Sequence, residues 1–326
     1  MCAKIRVSVL ASDSLGVRSM CTLVETPDIS IVCDGGVSLG MRYGLLPHPL
    51  EYRRLKESIT KMNEAFERAQ VVTVSHYHFD HYRPPFVSDF VWTWSSKEEV
   101  GRIYKDKILL CKDIRENINP SQKMRGWFFL KEVRKIASKL EVADGRAFQY
   151  GSTTIRFSSP LPHGETGSKL GYVLALTVSY DEERVVFAPD VQGPGCPEST
   201  GYILSERPDV LVIGGPPTYL SPSLIDARAL SSSINELAKL ASELRLLVVD
   251  HHLMRDALWR EKISIPIMEA RRKGHVLISA ASYMHKTEEL LESQRRILYE
   301  KNPPGNEFIK WTKMSPNRRR ATPPPI

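Results

Sequence analysis

The chain has 326 residues and a mass of 36.9 kDa, and its 42% hydrophobic and 25% charged residues exclude a fibrous or wholly disordered protein. No apolar run approaches the roughly 18 residues that a membrane span needs, and Lys4 and Arg6 interrupt the first apolar run, so we expect a cytoplasmic protein without membrane contact. The net charge of +7 is uneven, because residues 97–139 and 295–326 each carry +6 and the rest of the chain is mildly acidic.

The first predicted elements are three strands at residues 5–9, 21–24 and 29–33, where apolar residues recur between polar, Gly-containing turns. Apolar residues at helical spacing then predict a helix over residues 47–70. The β-branched run at residues 71–74 predicts a short buried strand, and a polar loop follows it. The beginning of the chain is therefore predicted to be a sheet with one long helix.

A basic segment comes next. Residues 97–140 are predicted to be mostly helical with a break at Pro120, and Trp127, Phe128 and Phe129 lie at their centre. We interpret residues 89–150 as a basic insertion within one domain. The cations on either side of Pro120 are Lys112, Arg115, Lys123 and Arg125.

Strand patterning returns in the second half of the chain. Strands are predicted at residues 153–157, 171–180, 184–188, 208–213 and 246–249. A helix over residues 225–244 is predicted to be opened by Ser221-Pro222 as N-cap and first helical residue. Residues 1–300 are thus expected to form one domain, and residues 301–326 a loosely held tail rich in Pro and Arg.

The densest polar motif directly follows the strand at residues 71–74. It reads Ser75-His76-Tyr77-His78-Phe79-Asp80-His81, a His-x-His-x-Asp-His pattern. Imidazole nitrogen and carboxylate oxygen are favoured ligands of borderline divalent metals, and a turn leaving a strand can direct four such side chains to two neighbouring ions. A solvated polar loop would leave the three histidines unexplained. The motif therefore predicts a metal site.

The order of this motif and of later residues resembles the metallo-β-lactamase superfamily. The matching positions, in chain order, are Asp34, the loop from His76 to His81, His163, Asp190 and His251. The overall pattern is closest to an uncharacterised archaeal branch of that superfamily. The resemblance implies an α/β fold, namely a four-layer αββα sandwich of the metallo-β-lactamase type with a helical insertion.

The resemblance also implies the chemistry of the site. One metal would be bound by His76, His78 and His163, and a second by Asp80, His81 and His251, with Asp190 bridging the two and Asp34 lying beneath them to orient ligands. Asp80 and Asp190 are the implied catalytic carboxylates. The expected cofactor is a pair of divalent ions, zinc first and manganese or iron as alternatives, whose bound hydroxide attacks the substrate.

Two assignments near the site rest on local arguments. His252 stands beside His251, but alignment of the strand end favours His251 as the ligand, and in an extended chain His252 would point the opposite way. Lys169 and Arg255 are candidate contacts for an anionic group of the substrate, although each could also be an ordinary surface charge.

Three functions remain open. The leading prediction is a metal-dependent hydrolase of a phosphodiester or similar anionic substrate, and the second is a hydrolase of small esters, thioesters or lactones on the same metals. The third is a non-catalytic nucleic-acid-binding subunit that retains the fold, because cations next to aromatic residues are how single strands are held. Nucleic acid is therefore a candidate partner. No feature of the sequence predicts an oligomeric state.

Overall fold

The computed structural model describes residues 3–87, 93–221 and 223–326. Residues 89–92, at the start of the predicted insertion, and Pro222 of the predicted helix cap lie outside the described residues. The first sheet has six strands in sequence order. They are β1 (Arg6–Val9), β2 (Thr22–Glu25), β3 (Ser30–Cys33), β4 (Val71–Val74), β5 (Ile108–Cys111) and β6 (Lys139–Val142). Strands β1 to β3 are antiparallel, and β3 to β6 run parallel.

The second sheet has seven strands, and a two-stranded ribbon lies apart from it. The sheet strands are β7 (Ala147–Tyr150), β8 (Thr153–Phe157), β11 (Leu176–Tyr180), β12 (Glu183–Ala188), β13 (Val210–Gly214), β14 (Leu246–Asp250) and β15 (Val276–Ile278). The ribbon pairs β9 (Leu161–Pro162) with β10 (Tyr172–Val173). Strands β12 to β15 are parallel, so their carboxyl ends meet at one edge of the sheet.

Eleven helices occur in the described residues. They are α1 (Pro49–Arg68), α2 (Lys97–Ile103), α3 (Pro120–Val133), α4 (Pro197–Glu206), α5 (Ala227–Glu243), α6 (Trp259–Lys262), α7 (Ser264–Arg272), α8 (Ala280–Tyr283), α9 (Arg295–Lys301), α10 (Asn306–Thr312) and α11 (Pro316–Ala321). Helix α1 begins with a reciprocal cap, because the His48 side chain accepts from the N-terminal turn and Glu51 accepts from the backbone of His48. Helix α5 is capped by Asp226, so the prediction that Ser221 caps it was wrong.

The core is divided into three apolar layers by the alternation of side chains along the strands. Val72 of β4 packs outward with α1, whereas Val71 packs inward against the second sheet. In β14, Val248 faces the first sheet and Val249 faces the helices outside. Two sheets with helices on both outer faces make four layers, which confirms the predicted αββα sandwich.

The predicted basic insertion is not mostly helical. Helices α2 and α3 alternate with β5 and β6, and both strands pair in parallel with the first sheet. Pro120 does not break a helix but occupies its first turn, after the N-cap Asn119. This segment therefore extends the sandwich instead of standing outside it.

The C-terminal segment is also more ordered than predicted. Helix α10 places Phe308 and Trp311 in the outer core layer, where both pack against Tyr52 of α1. Both side chains are buried, at 2% and 3% exposure. The expected loosely held tail is thus a docked segment, because these two aromatic residues give it an apolar anchor. None of the helices in the described residues is long and apolar enough to cross a membrane.

Candidate metal centre

The motif loop leaves the carboxyl end of β4 beside the end of β3. Because these strands are parallel, Asp34 after β3 lies next to Ser75 after β4. Asp34 accepts hydrogen bonds from the Ser75 backbone nitrogen, at 2.8 Å, and from the Ser75 hydroxyl. Its Oδ2 atom also lies 2.8 Å from Nδ1 of His81. Gly36 is needed here, because a Cβ atom would stand 2.1 Å from the backbone nitrogen of Tyr82.

The two-stranded ribbon and the second sheet supply the remaining predicted residues. His163 follows β9, Asp190 follows β12, and His251 follows β14. All three are buried, with exposures of 0–1%. The structure therefore brings the predicted residues from both sheets to the edge where the carboxyl ends of the parallel strands meet.

Asp190 lies at the middle of this arrangement. Its Oδ2 atom is 3.2 Å from Nε2 of His76, 3.0 Å from Nε2 of His163 and 3.3 Å from Nε2 of His81. Its Oδ1 atom is 3.1 Å from Nε2 of His251. A single carboxylate thus faces imidazole nitrogens on both sides, as a group bridging two ions would.

Two clusters with the composition of metal sites lie next to this aspartate, and the first includes it. In the first, His76, His78, His163 and Asp190 each offer a ligand atom, and all four atoms lie within 4.8 Å of one another. In the second, Asp80, His81 and His251 do the same. These groups contain the residues that the resemblance implied as ligands, and their division between two ions stays a prediction.

Backbone conformation is unusual at this edge. Asp34, Asp190 and His251 have φ values of +49°, +47° and +59°, a left-handed region that non-glycine residues seldom occupy. Such conformations cost free energy and persist where the surrounding structure holds them. Here they turn each side chain from its strand end toward the centre.

The two adjacent histidines do not point in opposite directions, as the extended-chain argument predicted. Residues His251–Arg255 form a 3₁₀ turn that begins directly after β14, so the period of two ends at Asp250. Nε2 of His252 lies 3.6 Å from Oδ1 of Asp190, and His252 forms a third cluster with Asp190 and His251. Both rings face the centre, and the choice of His251 as the ligand stays a prediction.

Asp13 is a residue of the site that the sequence analysis missed. It follows β1 in a buried loop, and its Oδ2 atom is 2.7 Å from Nδ1 of His251. It orients His251 as Asp34 orients His81. The available signal was the polar run Ser12-Asp13-Ser14 immediately after a predicted strand.

Arg255 is also buried in this region, with a side-chain exposure of 5%. Its Nε atom donates to Asp13 at 2.8 Å, and its Nη2 atom lies 3.4 Å from Asp80. The alternative that Arg255 is an ordinary surface charge is therefore wrong. Its role as a substrate contact stays a prediction.

The electrostatics of the centre are dominated by burial and by mutual contacts. Burial by itself would raise the pKa of Asp190, but the histidines around it, His81 first, hold that pKa well below its ordinary value. Burial would lower the pKa of His251, yet Asp190 and Asp13 raise it to about 9. Burial and then the Arg255 charge lower the pKa of His252 to about 3.

The donor set fits divalent metal ions. Among the described residues, the buried atoms without a hydrogen-bond partner include Nε2 of His81, Nε2 of His163 and Oδ1 of Asp190. Buried polar atoms are normally satisfied, so orphaned lone pairs that converge on one point need a ligand. Imidazole and carboxylate donors suit zinc, manganese or iron.

A cavity of about 570 Å³ lies beside the centre. Gln192 lies on its lining, and the Nε2 atom of Gln192 is 3.4 Å from Nδ1 of His163. Lys169 also lies on its lining and is exposed, and its role as a substrate contact stays a prediction. The apolar part of the lining is formed by Leu170, Pro217, Leu220, Leu224 and Ile225.

Helix α3 lies on the other side of the motif loop. Its Gln122 side chain accepts from the Tyr77 backbone nitrogen at 3.1 Å and donates to the Leu170 carbonyl at 2.7 Å. Phe129 is buried in the core. The outer face of the helix, which we call the α3 surface, consists of Lys123, Met124, Trp127, Phe128 and Lys131.

No family model matches the chain. Among curated proteins, a UPF0282 protein of Korarchaeum cryptofilum is 39% identical over 308 residues, covering 94% of this chain and 98% of that protein. A UPF0282 protein of Methanopyrus kandleri is 40% identical, covering 89% and 97%. Another from Pyrobaculum neutrophilum is 44% identical, covering 91% and 95%.

Solved structures are similar in fold. CmlA, a diiron β-hydroxylase from Streptomyces venezuelae, matches with a TM-score of 0.50 and 12% identity, covering 86% of this chain and 53% of that chain. The metallo-β-lactamase fold protein YhfI from Bacillus subtilis matches with a TM-score of 0.46 and 14% identity, covering 88% and 99%. At these identities the likeness concerns the fold alone. Together with the four layers described above, the chain has the metallo-β-lactamase fold.

Proposed function

The chain belongs to the UPF0282 family of archaeal proteins, and we propose that it is a metal-dependent hydrolase that cleaves a phosphodiester or a similar anionic ester. One observation carries the proposal. Asp190 lies between two clusters of imidazole and carboxylate groups that reach it from separate strand ends. A surface loop with several histidines would not bury these groups or leave their lone pairs without partners.

In this proposal the residues divide between two ions. His76, His78 and His163 would hold one, Asp80, His81 and His251 the other, and Asp190 would bridge them. When bound, divalent ions of this kind lower the pKa of water to near 7 and polarise the bond to be cleaved. Zinc is our first choice for this set of donors, with manganese or iron as alternatives.

The chain's own residues fix the geometry that this chemistry needs. Asp34 and Asp13 each accept from Nδ1 of a histidine, so that Nε2 of His81 and of His251 keeps a lone pair directed at the centre. Carboxylate partners of this kind also raise the basicity of the imidazole. Asp80 and Asp190 are the proposed catalytic carboxylates, and both lie near Nε2 of His251, at 3.5 Å and 3.1 Å.

The anionic character of the substrate rests on the proposed ions and on Lys169, because the lining of the cavity also carries the acidic residues Glu165 and Asp226. Lys169 is exposed on the lining of the cavity beside His163, where it could pair with a phosphoryl oxygen. The two ions would add their own positive charge at the inner end of the same space. A substrate with a negative group at the cleaved bond suits this distribution.

A second candidate is a hydrolase of small esters, thioesters or lactones on the same metals. The observation in its favour is the apolar lining of the cavity, where Leu170, Leu220 and Leu224 lie beside the centre. Cavities of this size and composition bind small molecules. The two candidates differ in the bond cleaved, not in the ligand set.

Metal analysis joined to a substrate screen tests the proposal. The purified protein should carry about two metal ions per chain and should cleave a phosphodiester such as bis-p-nitrophenyl phosphate faster than matched thioesters and lactones. His163→Ala should lose both properties. His285→Asn is the matched control, because His285 is exposed, lies outside the centre and has a φ of +53° that asparagine tolerates.

The results of the metal analysis and the substrate screen distinguish the two candidate functions. A protein with full metal content that cleaves thioesters or lactones, but no phosphodiester, would favour the second candidate. A chain without bound metal and without activity on any of the three bonds would exclude both.

A further inference from the structure

His251 and His252 lie side by side at the centre, with ring centroids 4.5 Å apart, but their Nδ1 atoms have partners of opposite kind. Nδ1 of His251 is 2.7 Å from Oδ2 of Asp13. An ionised carboxylate only accepts hydrogen bonds, so Nδ1 of His251 must donate. In a neutral ring this leaves a lone pair on Nε2, which is the form that binds a metal ion.

The adjacent ring is held in the other tautomer. Nδ1 of His252 is 3.3 Å from Nη1 of Arg255. A guanidinium group only donates, so Nδ1 of His252 accepts and the ring proton of a neutral His252 resides on Nε2. An Nε2–H group has no lone pair for a metal, but it can donate a hydrogen bond.

One ion pair sets both tautomers. Nε of Arg255 donates to Oδ1 of Asp13 at 2.8 Å, while the other oxygen of Asp13 accepts from His251. Nη2 of Arg255 is 3.4 Å from both ring nitrogens of His251. Because the two distances are equal, the guanidinium does not favour a proton on either nitrogen of the His251 ring. The shorter contact, between Asp13 and Nδ1, therefore determines which nitrogen of a neutral His251 carries the proton.

The Nε2 atom of His252 is buried at the centre, without a partner of its own within the described residues. Its nearest acidic atom is Oδ1 of Asp190 at 3.6 Å, beyond hydrogen-bond distance. The His252 side chain is 13% exposed, whereas that of His251 is fully buried. The ring of Tyr219 lies nearly parallel to that of His252, with an interplanar angle of 13°. His252 is thus the less buried histidine of the pair, and among the described residues its Nε2 atom is the one of the two left without a partner.

We propose that His252 is a catalytic hydrogen-bond donor, whose Nε2–H stabilises the negative charge that develops on the leaving oxygen of the ester. Arg255 is then a positioning residue, which acts by fixing the His252 tautomer. The donor stays neutral and keeps its proton, so no proton transfer is required of it. This inference rests on the proposed hydrolase function and supplies the group that function lacks, because the seven proposed ligands are committed to the ions.

Dependence on the leaving group is the kinetic test. A donor aimed at the leaving oxygen matters most when that oxygen is a poor leaving group. In His252→Ala, kcat for phenyl or alkyl esters should fall about 100-fold, the typical loss of one such donor, while kcat for p-nitrophenyl esters should change far less. His252→Gln retains an amide donor and should recover part of the loss. Metal content should stay at the wild-type level in both variants.

The tautomers themselves can be observed without any substrate. Nitrogen-15 NMR of the histidine rings in metal-free protein should find the ring proton of His252 on Nε2. Arg255→Gln should abolish the fixed tautomer of His252. If that variant does not fold, the wild-type spectrum alone decides the tautomer.

Several results would overturn the inference while leaving the proposed function intact. One is an active enzyme in which His252→Ala slows good and poor leaving groups equally. Another is an Nδ1-protonated His252 in the spectrum. A third is loss of metal in His252→Ala with full metal in His251→Ala, which would make His252 the ligand. Absence of both metal and hydrolysis in the wild-type protein would instead overturn the proposed function, and this role with it.

Discussion

The candidate metal centre was predicted from a sequence motif and a family resemblance, and the α3 surface from cations next to aromatic residues, but the two regions differ in the fold. At the centre, polar groups from distant segments converge in a buried space, and ligand atoms are left without partners. On the α3 surface, Trp127 and Phe128 are 49% and 51% exposed, and Lys131 lies over the Trp127 ring. Convergence with unsatisfied lone pairs indicates a reactive site, whereas exposure of cations and aromatic residues indicates only a surface that could bind.

The difference extends to the cations of the basic segment. Lys112 was predicted to be available for an anionic partner, but its side chain is fully buried and its Nζ bonds Asp144 at 2.5 Å. Arg115 pairs with Asp113. Arg125 lies over the ring of Phe79, 4.7 Å from its centroid. Much of the positive charge counted in the sequence is therefore already used within the fold.

The largest effect should come from Asp190→Ala. This change removes the group that lies within 3.3 Å of histidines of both clusters and leaves four buried histidines facing a void, so we expect loss of metal at both positions and of all hydrolysis. His78→Ala should weaken the first position only. Metal content by mass spectrometry of native protein separates the two. If both variants kept their full metal content, the centre would not be the metal site, and it would lose the property that distinguishes it from the α3 surface.

Orienting groups should have the next largest effect. Asp13 and Asp34 each accept a hydrogen bond from Nδ1–H of a histidine. Asp13→Asn and Asp34→Asn replace that carboxylate with an amide, whose NH2 group can face the ring instead of the oxygen. Loss of such partners typically lowers metal affinity 10- to 100-fold. We expect similar losses in the two variants, measured by competition with a zinc chelator. Asp28→Asn is the control, because Asp28 bonds Ser152 and Thr153 outside the centre.

These residues mark the limit of what the sequence predicts. His76, His78, Asp80 and His81 were predictable because their spacing is local and a strand precedes them. Asp13 was not, because its contact with His251 joins residues 238 positions apart. The orientation of His252 depends on the positive φ of His251, which ends the strand period and begins the 3₁₀ turn.

The fold divides in the same way. The αββα layers follow from the resemblance and from alternating apolar residues. Strands β5 and β6 were missed because the short apolar run Ile108–Cys111 lies in a basic segment, and Lys139–Val142 is an edge strand with little burial. An edge strand of this kind is stabilised by pairing with its neighbour in the sheet, and its own sequence gives little indication of that pairing.

Zinc affinity measured as a function of pH would test the protonation of His251 at the centre. In metal-free protein the pKa of His251 is raised to about 9, so between an ordinary pKa of 6.5 and about 9 the folded protein holds a proton that the unfolded chain has lost. That proton stabilises the metal-free fold below pH 6.5, and the contribution is lost as the pH rises through 9. Zinc must displace it, so zinc affinity should rise between pH 6.5 and 9. An affinity independent of pH over this range would contradict the burial of a protonated His251.

Changes in the C-terminal segment should lower the stability of the fold without affecting catalysis. Truncation after Pro304 would remove Phe308 and Trp311 from the outer core layer. Trp311→Ala should lower the free energy of unfolding by about 3–5 kcal/mol, as measured by denaturant titration. Catalysis by the folded fraction should be unchanged, because α10 packs on α1 on the outer face of the first sheet. The exposed Lys310→Ala is the matched control in the same helix.

The smallest effect concerns the α3 surface, where nucleic acid remains the candidate partner. If single-stranded RNA or DNA binds there, each phosphate contact releases counterions, so affinity should fall steeply with salt. Exposed Trp127 and Phe128 could stack on bases beside Lys123, and the N-terminal end of α3 adjoins the motif loop through Gln122. Lys123→Ala with Trp127→Ala should therefore weaken binding and lower the salt slope, without changing metal content. Lys105→Ala, on the loop after α2, is a control of equal charge. Because Arg125 is already stacked on Phe79, its removal should cost less binding than that of Lys123.

Absence of binding at low salt, or equal binding by the double variant, would leave the α3 surface without a role and the centre as the only predicted functional region.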